Sequence, residues 1–326
     1  MNVFFDLQIN GYAGVDFNSA SLSINDLRNA CARLQEDGVE GILLTLITDA
    51  VASLRAKIAN VVQMREQDPL IKSMVRGLHI EGPFISPVPG FVGAHPAVHA
   101  QPATLQNMDI LLEAGQGLIQ LVTLAPEMDP GLQVVRYLSE TGVIVSAGHT
   151  DASRDQLQAA IDSGLVMFTH LGNGCPMLMN RHDNIISRVL SLADQLWISF
   201  IADGAHIPFF VLQNYLRITG LQRVVIVTDA IAAAAARPGE YQIGNQTVLV
   251  GEDGVPRSET GTHLVGSGTT MQQMAERLHT ELQFTVAQIE LVTAQNPRKL
   301  LEQIYSQPAS VITDGIPTEK IKIPVD

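Results

Sequence analysis

Short apolar runs recur along the chain and are separated by segments with helical periodicity. The runs are rich in Val, Ile, Leu and Phe and are apolar throughout, as strands buried on both faces are. They predict eight strands, at 3–8, 41–47, 75–80, 119–124, 143–147, 166–169, 197–202 and 224–228. Apolar residues spaced three and four apart predict helices between them, including 24–36, 54–65, 104–113, 132–140, 154–162 and 208–216.

Eight such strands alternating with helices describe a parallel sheet that is covered on both faces or closed into a barrel. The direct interpretation is an α/β fold of the (β/α)8 TIM barrel type. We expect one catalytic barrel over residues 1–304, which includes later helices at 273–284 and 287–303, and an irregular tail over 305–326.

Several local signals refine this prediction. Asp151 or Ser153 has the side chain to cap the helix at 154, and Pro130 and Pro208 suit first helical turns. The alanine run 232–236 is predicted to form a short helical or loop surface. Two long segments stand out, because long loops in compact domains are often functional. They are the uncharged, proline-rich 82–102 and the polar 237–264, which is typical of a hairpin.

Composition narrows the class of protein. The chain of 326 residues has 20 Lys and Arg against 33 Asp and Glu, a net charge of −13, which argues against binding to nucleic acid or to an anionic membrane. Only two cysteines occur, which fits a reducing compartment. The N-terminus has no basic segment before an apolar stretch, and the uncharged stretches are rich in Pro and Gly. We therefore expect a cytoplasmic protein without a signal peptide or a membrane-spanning helix.

Polar side chains follow the apolar runs at the point where each strand ends. Chemistry in a TIM barrel takes place at the C-terminal ends of the strands, and burying polar groups there is costly unless they are hydrogen-bonded or used. The residues in question are Gln8, Asn10, His79, Glu81, His149, His170, Asp203, His206 and Asp229.

Three of these residues match a known ligand set. Glu81, His149 and His170 supply one carboxylate and two imidazoles, the donors of many catalytic zinc sites that keep a position open for water. Such a set accepts Zn, Fe, Co, Ni or Mn, and we expect one ion, with zinc as the first choice. Asp229 is placed to act as a base beside this site, although a cap on the following helix is an alternative. For His206 alone, a hydrogen-bonded structural histidine is the simpler interpretation.

Other motifs carry less information. No GxGxxG, Walker A or GxSxG pattern is present, so nucleotide-binding folds and serine-hydrolase elbows have no support. Glycine-rich turns at 172–174 and 266–268 permit close approach of a ligand but also serve as ordinary turns. Cys175 is better explained by packing than by metal binding, and His182 and His279 by exposure on the surface.

Taken together, the sequence resembles the N-acetylglucosamine-6-phosphate deacetylases of the amidohydrolase superfamily. The resemblance extends from residue 6 to about residue 301, with the family's motifs in the family's order. The segments that carry it are DLQINGYAGVDF (6–17), LHIEGPFISP (78–87), GAH (93–95), SAGHTDA (146–152), THLGN (169–173), ADGAHIP (202–208), VTDA (227–230) and LVGSGTTM (264–271).

The resemblance implies a role for each matched residue. Glu81, His149 and His170 would bind the divalent metal, Asp229 would be the general acid and base, and His95 would contact the sugar and polarise the acetyl carbonyl. Arg181 and His206 would face the phosphate or the sugar hydroxyls. Further residues would line the substrate site, namely Ala94, Asn173, Gly174, Leu264, Val265 and Gly266.

The chain departs from the wider pattern at three points. Many amidohydrolases have His-x-His at the end of strand one, but here Gln8 and Asn10 occupy those positions; amides are poor ligands for transition metals, so we expect a mononuclear site in which both amides bind substrate or water. Asn173, Gly174 and Cys175 replace the usual Asn-Ala-Met. The chain also begins almost at strand one, so we expect the family's small β-sandwich to be missing.

The expected reaction is hydrolysis of the N-acetyl group of N-acetylglucosamine 6-phosphate to glucosamine 6-phosphate and acetate. The binding partner would be a small-molecule substrate, an amino-sugar phosphate. The resemblance also implies a homodimer, which is common in this family. Two alternatives stay open. One is a barrel amidohydrolase that acts on another N-acyl amino sugar or amide, and the other is a catalytically inactive protein that binds sugar phosphates.

Overall fold

Eight parallel strands form the centre of the protein, which a computed structural model describes over residues 3–305. In chain order the strands are β1 (Phe4–Ile9), β2 (Gly11–Tyr12), β3 (Val15–Asp16), β4 (Val39–Ile47), β5 (Val75–Glu81), β6 (Ile119–Leu124), β7 (Ile144–Ala147), β8 (Met167–Phe168), β9 (Trp197–Ile201), β10 (Val224–Val227), β11 (Gly239–Ile243), β12 (Gln246–Val250) and β13 (Pro256–Ser258).

The large sheet has the order β1-β4-β5-β6-β7-β8-β9-β10, so each strand pairs with the next one along the chain. Its two ends meet: the Asn10 amide donates to the Ala230 carbonyl at 2.7 Å, and the Asp229 amide donates to the Gln8 carbonyl at 2.9 Å. The sheet is a nearly closed (β/α)8 barrel. The predicted fold class is confirmed, and all eight predicted strands lie within two residues of the observed ones.

Helices cover the outside of the barrel. They are α1 (Ile24–Glu36), α2 (Val51–Gln67), α3 (Pro69–Met74), α4 (Leu105–Gly115), α5 (Gln133–Glu140), α6 (Arg154–Asp162), α7 (Ile185–Leu190), α8 (Phe209–Thr219), α9 (Met271–Leu282), α10 (Val286–Glu290) and α11 (Asn296–Tyr305), with a π-helical turn at Leu291–Gln295. Within residues 3–305, no helix is both long and apolar enough to cross a membrane.

The periodicity that predicts these helices also sets which face is buried. In α1, Leu27, Ala30, Cys31 and Leu34 recur at three- and four-residue spacing and are all buried. Ser153 caps α6, where its side chain accepts from the Gln156 amide. Of the two candidate caps, the structure therefore selects Ser153.

Three local predictions need correction or qualification. Within the alanine run, Ala232, Ala233 and Ala234 are buried, because the carbonyls of Ala232 and Ala234 accept from the β2–β3 turn and draw the segment inward. Pro208 precedes α8 as its N-cap residue, and Pro130 begins a 3-10 turn before α5. The predicted tail lies outside the described residues apart from its first residue.

The polar excursion after β10 forms a small antiparallel sheet of β11, β12 and β13. Its inner face has an apolar cluster of its own, in which Ile243, Val248 and Val250 pack with Ile47 and Val265. Ala94 packs on the same cluster. The small sheet therefore stands at the end of β4, at the C-terminal side of the barrel.

Candidate active site

The candidate residues gather because they follow neighbouring strands. Glu81 is the last residue of β5, and His149, His170 and Asp229 each come two residues after β7, β8 and β10. All four are buried. His149, His170 and Asp229 have φ angles of 52°, 35° and 49°, in the left-handed region that few non-glycine residues adopt. Such backbone strain is concentrated at functional sites.

Three donor atoms converge on one point. Glu81 Oε1 lies 2.8 Å from His170 Nε2 and 3.2 Å from His149 Nε2, and the two Nε2 atoms are 3.2 Å apart. Burial alone would raise the pKa of Glu81, but hydrogen bonding to the two histidines holds this pKa well below its ordinary value. The carboxylate is therefore ionised at the centre of the group.

The hydrogen bonding of His149 shows that this group suits a cation. His149 Nδ1 lies 2.9 Å from the Phe91 carbonyl oxygen, which can only accept, so Nδ1 carries a hydrogen. A histidine that binds a metal is neutral, and in that form His149 has its lone pair on Nε2. This lone pair faces Glu81 Oε1, which is also an acceptor. In that neutral form, a divalent metal ion between the two acceptors would satisfy both, and the donor set fits one.

His95 approaches the same carboxylate from the other side. Its Nε2 lies 3.8 Å from Glu81 Oε2, and its ring centre is 4.2 Å from that of His149. Donor atoms of Glu81, His95 and His149 lie within 4.8 Å of one another. Burial lowers the pKa of His95 to about 3, so the ring is neutral.

Asp229 is held by the two amides that replace His-x-His. Gln8 Nε2 and Asn10 Nδ2 both donate to Asp229 Oδ1, at 3.2 and 2.7 Å. Burial and the charge of Glu81 raise the pKa of Asp229 to about 6. The sequence predicts contacts of both amides with substrate or water, but not this shared contact with Asp229. Asn10 Oδ1 is buried without a partner among the described residues.

His206 has a carboxylate partner. Its Nδ1 lies 2.7 Å from Asp203 Oδ2, which also accepts from Ser267 Oγ at 3.2 Å. At its Nδ1 atom, His206 is therefore the hydrogen-bonded histidine of the simpler interpretation.

The remaining candidates lie on loops around this end of the barrel. Gly266 packs closely against the backbone of Asp229, since a Cβ at position 266 would be 2.9 Å from the Asp229 carbonyl oxygen. Ala94, Asn173, Gly174 and Leu264 are half-buried and Val265 is buried. Arg181 is exposed and has no hydrogen bond or ion pair with any residue from 3 to 305.

Sequence reasoning missed Thr48. It directly follows β4 and is buried, and its Oγ1 lies 2.8 Å from His95 Nδ1. A polar residue after an apolar run was the available signal, since Thr48 follows the predicted strand 41–47.

Comparison with known proteins identifies the family. The chain is 30% identical over 308 residues to an N-acetylglucosamine-6-phosphate deacetylase of Bacillus subtilis, covering 94% of this chain and 76% of that protein. The chain belongs to the N-acetylglucosamine-6-phosphate deacetylase family. The human deacetylase is 33% identical over 268 residues, covering 79% of this chain and 63% of the human protein. No protein-family model matches the chain.

Solved structures of the family agree with this assignment. The Pasteurella multocida deacetylase has a TM-score of 0.82 at 27% identity, covering 93% of this chain and 77% of that one. A Mycobacterium smegmatis deacetylase mutant in complex with N-acetyl-D-glucosamine-6-phosphate has a TM-score of 0.84 at 26% identity, covering 92% and 77%. The resemblance inferred from the motifs is thereby confirmed, and the barrel is that of an amidohydrolase.

Proposed function

We propose that the chain hydrolyses the N-acetyl group of N-acetylglucosamine 6-phosphate and releases glucosamine 6-phosphate and acetate. One observation carries the proposal: in a barrel of this deacetylase family, a buried carboxylate, Asp229, lies at the same end as the converging donors of Glu81, His149 and His170. This combination suits hydrolysis of an amide, which needs an activated water and a group that moves protons.

Glu81 Oε1 and the Nε2 atoms of His149 and His170 would hold one divalent ion, for which we propose zinc. When bound, such an ion acts as a Lewis acid on the acetyl carbonyl and lowers the pKa of a water molecule. His149 is prepared for this role, since the Phe91 carbonyl fixes its hydrogen on Nδ1.

Asp229 moves the proton. Its Oδ1 is occupied by the amides of Gln8 and Asn10, which leaves Oδ2 to accept a proton from the attacking water. As the bond between the acetyl carbon and nitrogen breaks, Oδ2 returns that proton to the leaving amine. A pKa of about 6 keeps the carboxylate ionised at neutral pH while allowing it to be protonated transiently.

His95 would stabilise the negative charge that develops on the acetyl oxygen, the kind of contribution that is often the largest in acyl transfer. Ala94, Asn173, Gly174 and the segment 264–266 would shape the sugar site, and Arg181 and His206 would bind the phosphate or the hydroxyls. We further propose a cytoplasmic homodimer; the free cysteines Cys31 and Cys175 support the reducing compartment.

A second substrate is favoured by a specific observation. An N-acetylgalactosamine-6-phosphate deacetylase of Escherichia coli O157:H7 is 27% identical to the chain over 298 residues, covering 91% of this chain and 77% of that protein. The two sugars differ only in the configuration at C4, so the same acyl chemistry serves both. Discrimination between them then depends on the residues around the sugar.

The test measures acetate release by the metal-loaded protein from the two 6-phosphates and from unphosphorylated N-acetylglucosamine. We expect the highest kcat/KM with N-acetylglucosamine 6-phosphate. Asp229→Asn should lower kcat by about 10²- to 10⁴-fold, the usual contribution of a general acid or base, with unchanged metal content.

Other results point elsewhere. Preference for unphosphorylated N-acetylglucosamine would mean that the substrate is not a sugar phosphate. Preference for N-acetylgalactosamine 6-phosphate would mean that the substrate is the C4 epimer. A wild-type protein that binds metal and sugar phosphate but releases no acetate would be a binding protein. Full activity of Asp229→Asn would contradict the role of Asp229.

A further inference from the structure

Thr48 makes two contacts with the same ring nitrogen of His95. The Thr48 backbone N–H donates to His95 Nδ1 at 3.4 Å, and Thr48 Oγ1 lies 2.8 Å from that nitrogen. Both residues are buried. Within residues 3–305 the hydroxyl has one other acceptor in reach, the Glu81 carbonyl oxygen, at the longer distance of 3.3 Å.

These contacts determine which nitrogen of His95 carries the hydrogen. A backbone N–H can only donate, so Nδ1 presents its lone pair to Thr48. A hydrogen on Nδ1, in the imidazolium or in the other tautomer, would face this backbone hydrogen; at 3.4 Å this contact disfavours it only weakly, so the nearer hydroxyl is the main determinant. The neutral ring therefore has its hydrogen on Nε2, and the hydroxyl of Thr48 donates to Nδ1 over the shorter of its two distances.

His149 is fixed in the opposite way. It donates from Nδ1 to the Phe91 carbonyl, so as a neutral metal ligand it would have its lone pair on Nε2. The rings of His95 and His149 are 4.2 Å apart and both Nε2 atoms face Glu81, yet one presents a hydrogen and the other a lone pair. Distance alone groups His95 with Glu81 and His149 as potential ligands, whereas its hydrogen makes it a donor.

We propose that Thr48 is a positioning residue that fixes His95 as the Nε2–H tautomer and so makes it a hydrogen-bond donor to the acetyl oxygen rather than a metal ligand. The hydrogen bond from His95 to the acetyl oxygen rests on the proposed function, whereas the assignment of the His95 tautomer does not. Gly82 supports the arrangement, because a Cβ at this position would collide with Thr48 Oγ1. The chain thus leaves room for the hydroxyl.

Two substitutions at Thr48 separate the hydroxyl from the rest of the side chain. Thr48→Val keeps the shape and the backbone N–H but removes the stronger donor to Nδ1. We expect kcat to fall by about 10- to 100-fold, somewhat less than the loss of an oxyanion donor itself, with KM changed by less than about threefold. Thr48→Ser returns the hydroxyl and should recover most of the kcat. Thr293→Val, at another buried threonine, controls for the substitution as such and should behave as wild type.

Nitrogen NMR of ¹⁵N-histidine-labelled protein reads the tautomer directly, with the His95 signals assigned by their loss in His95→Gln. In the wild type we expect an unprotonated Nδ1 and a protonated Nε2. In Thr48→Val both signals should shift toward the average of the two tautomers, and in Thr48→Ser they should return. Metal content should be the same in wild type, Thr48→Val and His95→Gln.

Three outcomes would overturn the proposal: a protonated Nδ1 in the wild type, wild-type kcat in Thr48→Val, or loss of metal in His95→Gln, which would make His95 a ligand. Failure of the proposed function looks different. If the wild type releases no acetate from any of the three sugars while NMR finds the expected tautomers, the deacetylase reaction is wrong and the action of Thr48 on His95 stands.

Discussion

At the scale of single residues, the site depends on side chains turned toward one another by an unusual backbone. His149, His170 and Asp229 all have positive φ, although none is glycine. Each such residue costs about 1–3 kcal/mol and persists only where its surroundings hold it. At His149 the Phe91 carbonyl does this, and at Asp229 the amides of Gln8 and Asn10 do. The contacts that hold the backbone are also those that prepare the side chains for chemistry.

The hydrogen bond from Asn10 to Asp229 leads to a prediction about pH. It lowers the pKa of Asp229, against the effects of burial and of Glu81, which raise the pKa to about 6. Asn10→Asp removes the donor and adds a like charge, so the pKa should rise further, by about 1–3 units. Since Asp229, as the proposed base, must be ionised to accept a proton, the acidic limb of kcat/KM should move to higher pH. A pH profile of acetate release measures this shift.

Asn10→Ala is the matched control, because it removes the donor without adding a charge. Its acidic limb should lie between those of wild type and Asn10→Asp. If all three limbs coincide, Asp229 is not the group that titrates in the profile.

At the scale of elements, the seam between β1 and β10 depends on a buried carboxylate. Asp6 on β1 accepts from the Thr228 backbone at 3.2 Å and from the Thr228 hydroxyl at 2.5 Å, just after β10. Its Oδ1 also accepts from the Gln8 amide at 3.2 Å. The same seam carries Gln8 and Asn10 on one side and Asp229 on the other. Asp6 therefore joins the two strands that bring Asp229, the proposed acid/base, together with the amides of Gln8 and Asn10.

Asp6 should make stability depend on pH. Burial raises its pKa to about 7 despite the hydrogen bonds from Thr228, while in the unfolded chain the pKa is near the ordinary 3.8. Between these values the folded state holds a proton that the unfolded state has lost, so the free energy of unfolding falls as pH rises from about 4 to 7. The slope from one such group is at most about 1.4 kcal/mol per pH unit. Asp6→Asn should remove this part of the slope in urea titrations across that range.

Asp155→Asn, on the exposed face of α6, is the control and should keep the wild-type slope. The comparison isolates Asp6 because other carboxyls, such as the half-buried Asp16, whose pKa is raised to about 6, stay the same in both variants. An unchanged slope in Asp6→Asn would mean that the seam carboxylate is ionised throughout.

The elements themselves differ in how far the sequence predicts them. Apolar runs and three- or four-residue periodicity are enough for the eight strands and for α1 and α6, whose predicted bounds agree with the structure. The helices α3 and α7 have six residues each, too few to establish a period. The prediction that the alanines of 232–234 lie at the surface is wrong, because alanine is common both on surfaces and in close contacts inside proteins.

At the scale of the whole molecule, the candidate site is only partly predictable for a related reason. Glu81, His149, His170 and Asp229 follow from strand ends, which barrel topology brings together. The contacts of Gln8 and Asn10 with Asp229 span 221 and 219 residues of sequence and depend on how the barrel closes. Hydrogen positions, such as that on His95, depend on partners as remote as Thr48. The sequence pattern predicts which residues gather at the ends of the strands, whereas the closure of the barrel determines which of their atoms are in contact.

The proposed metal site should also stabilise the whole barrel, since its donors come from β5 and from the ends of β7 and β8. An ion that binds only the folded chain stabilises it by about 2.7 kcal/mol at a free concentration 100 times its Kd, a rise in Tm of about 4 °C for a chain of this size. Chelator-treated protein should therefore melt lower and recover on addition of zinc, as calorimetry would measure. Glu81→Gln should lose this response, because the remaining imidazoles lack the anionic ligand, whereas Glu113→Gln on the exposed face of α4 should keep it. Equal responses of the two variants would place the stabilising ion somewhere other than at Glu81.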